Sequence, residues 1–264
     1  MEQYFAADAE YQQELERLRL IESLGDPATI RHLETLGVGA GWRCLEVAGG
    51  AGSIARWMSA RVGGDGRVVV SDIDVRFLHD LTAPNIEVRT HDVSTDRFES
   101  DTFDLVHCRS LLCHIGRPDN VLDGMANALV PGGWMLAEEP DFGIIESVDK
   151  NHPFAAGFDR ASDRRFRFLR DAGVMDGFLG KSLPSMMEAV GLDDVQHHGT
   201  ARIARGGDAA SRNWLYVCDR LDGYLQSEGV LSEQEMADSR SALQDPTFCY
   251  RNALVFSVWG QRPK

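Results

Sequence analysis

The stretch LEVAGGAGSIARW, residues 45–57, sets glycines at 49, 50 and 52 directly behind a short apolar run. Without a Cβ, glycine lets a backbone turn tightly and bring its amides close to a ligand. Three acids extend this reading. Glu46 lies just ahead of the loop. Asp72 stands 20 residues beyond Gly52 at the end of the next apolar run, where a carboxylate can accept from a ribose diol. Asp92 closes a third run, where its carboxylate or the next amide can meet an adenine edge. Gly50-x-Gly52-x-x-Ala55 nearly meets the dinucleotide pattern, so the loop alone leaves a NAD site open. A P-loop is excluded, because no Lys-Ser or Lys-Thr follows the glycines. The acid ending the third run favours a smaller nucleoside ligand, and the loop has no basic residue to meet a pyrophosphate.

These residues need strands to present them. WRCLEV (42–47), RVVVSD (67–72), IEVRTHD (86–92), TFDLVHCRS (102–110) and GGWMLAEEP (132–140) read as strands. Helical spacing after Ser53 and over 119–129, with a short helix candidate at 75–82, fills the gaps between them. Apolar strands alternating with helices predict a parallel sheet covered on both faces. Residues 10–24 read as one helix, and Asp26-Pro27 as the start of a second running to 37. Further on, 141–180 carries no β-like run, 182–192 is helical, 194–203 is a strand, 213–243 is helical and 252–262 is a final strand. The expected fold is a Rossmann-like, doubly wound α/β sheet of seven strands with helical insertions. Its expected parts are an N-terminal helical lid (1–26), the cofactor-binding half of the core (27–140), a cap insertion after strand five (141–180), and the rest of the core (181–264) with a helical insertion at about 205–245.

LEVAGGAGSIARW, GRVVVSDIDVRFL, HDV, FDLVHCRSLLCHI and LVPGGWMLAEEPD, in that order, resemble the successive motifs of class I S-adenosylmethionine-dependent methyltransferases. Among these the chain is similar to small-molecule enzymes of the natural-product type. The match covers about 36–140, with a weaker one over YFAADAEYQQELERLRLI and the final strand. The resemblance implies a mostly parallel sheet with an antiparallel last strand, and S-adenosylmethionine as cofactor. It implies that Glu46 orients the loop and holds the cofactor's amino-acid end, with Gly50 and Gly52 as pattern glycines. Asp72 would bind the ribose, Ile73 would pack on adenine, and Asp92, with Val93 beside it, would accept from the adenine amino group. Arg109 and Ser110 would line the methionine portion. Arg17 is either a grip on the cofactor carboxylate or a surface salt bridge, and the second reading is favoured. Ala48 stands where the family has its first glycine. Its methyl is tolerable at negative φ and costly in left-handed geometry, and cofactor binding is expected to survive.

Methyl transfer from a sulfonium is an in-line displacement, so the enzyme must align a nucleophile and exclude water. His114, shortly after the fourth strand, is the candidate catalytic base for an acceptor that holds its proton. His107 lies inside that strand and reads as a residue satisfied within the sheet. Glu138, Glu139 and Asp141 follow strand five, where metal-dependent catechol methyltransferases place a ligand. The remaining ligand pattern is missing, so no metal is expected. Aromatic residues at 142, 158, 166, 168, 178 and 214 favour an apolar or aromatic small-molecule substrate.

The chain has 264 residues, 27 Lys plus Arg against 41 Asp plus Glu, and a net charge of −14. That balance disfavours nucleic acid and anionic membranes as partners. The one basic patch, Arg160 to Arg170, reads as an amphipathic helix against solvent or an acidic surface. Five cysteines without a CxxC read as free thiols. With no signal or membrane-spanning pattern, a cytoplasmic location is expected, and a homodimer stays open. Three rival classes remain: a cofactor-binding enzyme performing a rearrangement or hydroxylation, a NAD-linked oxidoreductase, and a non-catalytic binding module.

Overall fold

The computed structural model describes the backbone of Glu2–Lys264 and the side chains from Glu10 onward. Met1 of the expected lid, and the side chains of its first nine residues, lie outside the described residues.

The chain opens on helix α1 (Glu2–Thr35), followed by β1 (Arg43–Val47), α2 (Ser53–Val62), β2 (Arg67–Asp72), β3 (Ile86–Thr90), β4 (Phe103–Arg109), α3 (Pro118–Ala128) and β5 (Leu129–Asp141). Then come β6 (Glu146–Ser147), α4 (Ala155–Asp171), α5 (Leu183–Ala189), β7 (Asp193–Thr200), β8 (Ile203–Arg205), α6 (Ala209–Ser227), α7 (Glu233–Gln244), β9 (Cys249–Arg251) and β10 (Leu254–Gln261). The seven-stranded sheet has the order β3-β2-β1-β4-β5-β10-β7. Its strands β1 to β5 pair in parallel, and β10 runs antiparallel to β7. This is the expected Rossmann-like sheet. The order reverses between β1 and β4, where an open α/β sheet splays its loops apart and binds ligands.

The chain divides into two units. A sheet unit comprises Asp26–Asp141, Phe178–Thr200 and Val255–Lys264. A helical unit comprises Met1–Gly25, Phe142–Gly177 and Ala201–Leu254. In the sheet unit Leu33, Cys44, Ile54, Met58, Val68, Val70 and Leu105 form one buried cluster under α2. Each such side chain contributes about 1.5–3 kcal/mol when fully buried. The helical unit packs α4 and α6 against α7. Asp208 caps α6 by accepting from the Ser211 amide, and Ser232 with Glu235 forms a capping box on α7.

Three local expectations are corrected. The break at Pro27 is absent, since α1 runs straight through it. Arg109 donates to both Asp26 and Thr29, so tertiary bonds hold the turn against proline's stop signal. The predicted strand 194–203 is two strands: β7 ends its pairing with β10 at Thr200, and β8 joins β9 and β6 in a separate three-stranded sheet. The insertion over 141–180 also carries a short strand, β6, after a 3-10 turn at Phe142–Ile144 and before α4. Strands of two or three residues are too short to show a period in sequence.

Candidate functional site

The loop between β1 and α2 takes three left-handed residues: Ala48 at φ 57°, Gly50 at φ 57° and Gly52 at φ 84°. Ala48 therefore occupies the geometry in which its methyl group is strained, not the tolerant one. Gly49 is needed for another reason: a Cβ there would lie 2.4 Å from Val70 Cγ1. The loop thus lies directly on β2, which the pattern glycines alone did not show.

Asp72 ends β2 and ties this loop down. Its Oδ2 accepts from the Gly50 amide at 3.1 Å and its Oδ1 from the Asp74 amide at 2.9 Å. Burial raises its pKa above the usual aspartate value, against the pull of these amide donors. Next to it Ile73 is 71% exposed, an apolar surface open to a flat ring. β3 brings Asp92 beside them: its Oδ1 accepts from the Ser94 amide at 2.9 Å, and its own amide donates to Asp96 Oδ2 at 2.9 Å. Asp92 and Val93 are half-buried.

At the centre of the sheet, pairing sets Glu46 of β1 beside His107 of β4. His107 is fully buried and donates from Nδ1 to Glu46 Oε2 at 2.7 Å and from Nε2 to Glu138 Oε2 at 3.4 Å. Burial alone would favour the neutral ring, but two carboxylates outweigh it and raise its pKa to about 9. Glu138 is held well below the usual range despite its burial, through His107, Ser257 and the nearby His32. Ser257 Oγ donates to its Oε1 at 2.5 Å, Thr29 Oγ1 donates to its Oε2, and His32 Nδ1 lies 3.6 Å from Oε1. His107 was expected to be satisfied in the sheet; its two acidic partners were not foreseen, because register is invisible in sequence.

Arg109, two residues further along the same face, donates to Asp26 Oδ1 and Thr29 Oγ1, each at 2.8 Å. Ser53, the first residue of α2, donates to Asp26 at 3.1 Å. The guanidinium is thus engaged by α1. Ser110 follows at φ 54°, its amide donating to the Glu138 carbonyl at 2.8 Å. Arg17, in the helical unit, pairs with Glu14 at 2.7 Å, and Glu14 also accepts from Arg220 at 2.6 Å.

On the opposite face of β5, Glu139 is fully buried. It accepts from the amides of Leu111, Leu112 and Cys113 at 2.8, 2.7 and 3.2 Å. Burial nevertheless raises its pKa to about 7. Those amides lead into the short 3-10 turn Leu112–His114, whose last residue, His114, is exposed. Sequence reading weighed Glu138 and Glu139 only as metal ligands. Among the described residues no three His, Cys, Asp or Glu side chains group to hold a metal ion. No described helix is long and apolar enough to cross a membrane.

A methyltransferase-domain family model matches residues 5–197, across the glycine loop, the acids and the turn bearing His114. The chain belongs to the methyltransferase-domain family. A ubiquinone/menaquinone biosynthesis C-methyltransferase, UbiE of Pseudomonas putida, is 29% identical over 194 residues, covering 66% of this chain and 75% of its own. The methyltransferase str2 of Strobilurus tenacellus is 30% identical over 149 residues, covering 56% of this chain and 52% of its own. Among solved structures, a Haemonchus contortus phosphoethanolamine N-methyltransferase 2 bound to S-adenosylhomocysteine superposes with TM-score 0.56 at 17% identity. That likeness covers 90% of this chain and 53% of that one, and it shows the fold.

The methyltransferase uses S-adenosylmethionine and acts on a small organic molecule. The NAD reading of the glycine loop is thereby set aside. The residues present fit this cofactor: an exposed apolar Ile73 beside a carboxylate, a loop of left-handed backbone, and a buried acid at its root. When bound, the cofactor supplies an electrophilic methyl group. The chain's residues must hold it, align the acceptor and keep water away.

Proposed function

We propose that the methyltransferase acts on an apolar or aromatic small molecule in a biosynthetic pathway, with His114 as the base for an acceptor that retains its proton. The observation that carries this is the turn bearing His114. Three of its amides are fixed by a buried carboxylate, while the imidazole-bearing residue is exposed. A fixed main chain under an exposed histidine suits proton removal, because the base must sit within hydrogen-bond reach of the acceptor. The substrate class is supported by likeness to an enzyme named for C-methylation in quinone biosynthesis. In this reading Glu46 takes the amino-acid end of the cofactor and Asp72 the ribose. Ile73 lies on adenine, Asp92 and Val93 meet its amino edge, and Ser110 borders the methionine chain.

The test incubates the enzyme with methyl-labelled cofactor and a panel of phenols, quinol precursors and polar amines, read by mass spectrometry. Label is expected on the apolar aromatic members. Label on the polar amines alone would overturn the substrate class. His114→Ala should lower kcat by about 100-fold or more, with S-adenosylhomocysteine affinity unchanged. A variant with wild-type kcat across the pH range would remove His114 from the chemistry.

A further inference from the structure

Glu46 cannot be read as a lone acid at the root of the cofactor loop. Its Oε2 accepts from His107 Nδ1 at 2.7 Å, and among the described residues no donor reaches Oε1. His107 in turn is pinned from behind by Glu138, which Thr29 and Ser257 hold on its other sides. Both ring nitrogens face carboxylates, and imidazole can donate from both only as the imidazolium. Glu46, His107 and Glu138 together form a buried triad in the sheet beside the switch between β1 and β4. A buried triad of this kind is a weak source of stability, since desolvation offsets much of the attraction. Its value lies in fixing orientation: a carboxylate with one oxygen clamped cannot rotate.

We propose that His107 is a positioning residue for cofactor binding, clamping Glu46 through Oε2 so that Oε1 is left as the acceptor for the cofactor's ammonium group. The proposal rests on the reading of Glu46 given above. His107 touches neither substrate nor cofactor. It acts by denying Glu46 its other rotamers, and Glu138 acts by denying His107 its own. Glu138 also accepts from Thr29, which accepts from Arg109, so the clamp continues into the α1 turn at Asp26.

The test compares two ligands by titration calorimetry. S-adenosylhomocysteine carries the amino-acid end; 5′-methylthioadenosine is a close nucleoside counterpart without it. His107→Gln should weaken S-adenosylhomocysteine about tenfold and leave 5′-methylthioadenosine within twofold. His107→Asn, whose amide can replace the Nδ1 donor toward Glu46, should recover most of that loss. Asp72→Ala, at the nucleoside end, should weaken both ligands together. Equal weakening of both ligands by His107→Gln, or no weakening of either, would overturn the clamp. If Glu46→Gln leaves the preference of the wild-type protein for S-adenosylhomocysteine intact, the reading of Glu46 itself fails. Should His107→Gln not fold, the ring can be read in the wild-type protein by nitrogen NMR. An imidazolium that shifts with S-adenosylhomocysteine but not with 5′-methylthioadenosine supports the clamp, and a ring that responds to neither overturns it.

Discussion

Ala48 holds φ 57° where its neighbours Gly50 and Gly52 reach positive φ without a side chain to strain. Holding an alanine there costs on the order of 1–3 kcal/mol, and glycine in its place would lose about 0.5–1 kcal/mol through backbone entropy. Ala48→Gly is therefore expected to raise the Tm by about 2–4 °C, with S-adenosylhomocysteine affinity changed less than threefold. Differential scanning calorimetry checks the first, and a lowered Tm would mean that the strain is relieved elsewhere. The glycine pattern, Asp72 and Asp92 were all legible in the sequence, because each stands at the end of an apolar run. The double use of Asp72 was not. The carboxylate proposed above for the ribose also fastens the loop to β2 through Gly50, a contact between residues 22 apart.

At the scale of elements, the basic run from Arg160 to Arg170 resolves into three different jobs. Arg160 and Arg164 each reach Glu235 of α7 at 3.1 Å, and exposed Arg167 pairs within its own helix with Asp163. Arg165 is 2% exposed and donates to Asp222 of α6, itself 3% exposed, at 2.8 Å. Arg165→Met leaves that carboxylate buried with Arg240, at 3.5 Å, as its remaining ion-pair partner among the described residues. It should destabilise the protein by about 3–5 kcal/mol. The double variant Arg165→Met with Asp222→Leu should recover most of the loss, as urea denaturation would show. A single variant as stable as the wild type would mean that the pair does not hold α4 to α6. Sequence spacing foretold an amphipathic helix here, but not which arginine turns inward. That choice depends on where α6 places its acid, a tertiary fact.

For the whole molecule, two buried groups bias stability against alkali. Glu139 has a folded pKa of about 7, above its ordinary value, so its contribution declines as pH rises toward 7. His107 has a folded pKa of about 9, so its contribution is complete below about 6.5 and is lost as pH rises through 9. The groups facing it are Glu46 from β1 and Glu138 from β5, with His32 of α1 beyond Glu138. Glu138 is depressed, and its contribution is lost only in acid. Thermal melts should therefore show Tm falling by several degrees between pH 6.5 and pH 9.5, with a shallower fall in His107→Gln. A Tm flat across that range would mean that the ring is neutral. The strands of the main sheet could be read from apolar runs, but none of this charge pattern could. His, Glu and Glu lie 31 and 61 residues apart and meet only through strand register.

The neighbours Glu138 and Glu139 point to opposite faces of one strand, and they differ in what they grip. Glu138 holds side chains, so each of its partners is fixed in kind. Glu139 holds main-chain amides, which every residue except proline supplies. The exposed position His114 can therefore change its side chain while these three main-chain contacts stay in place. A one-residue insertion in β5 between Ala137 and Glu138 would exchange the two faces and break both grips together.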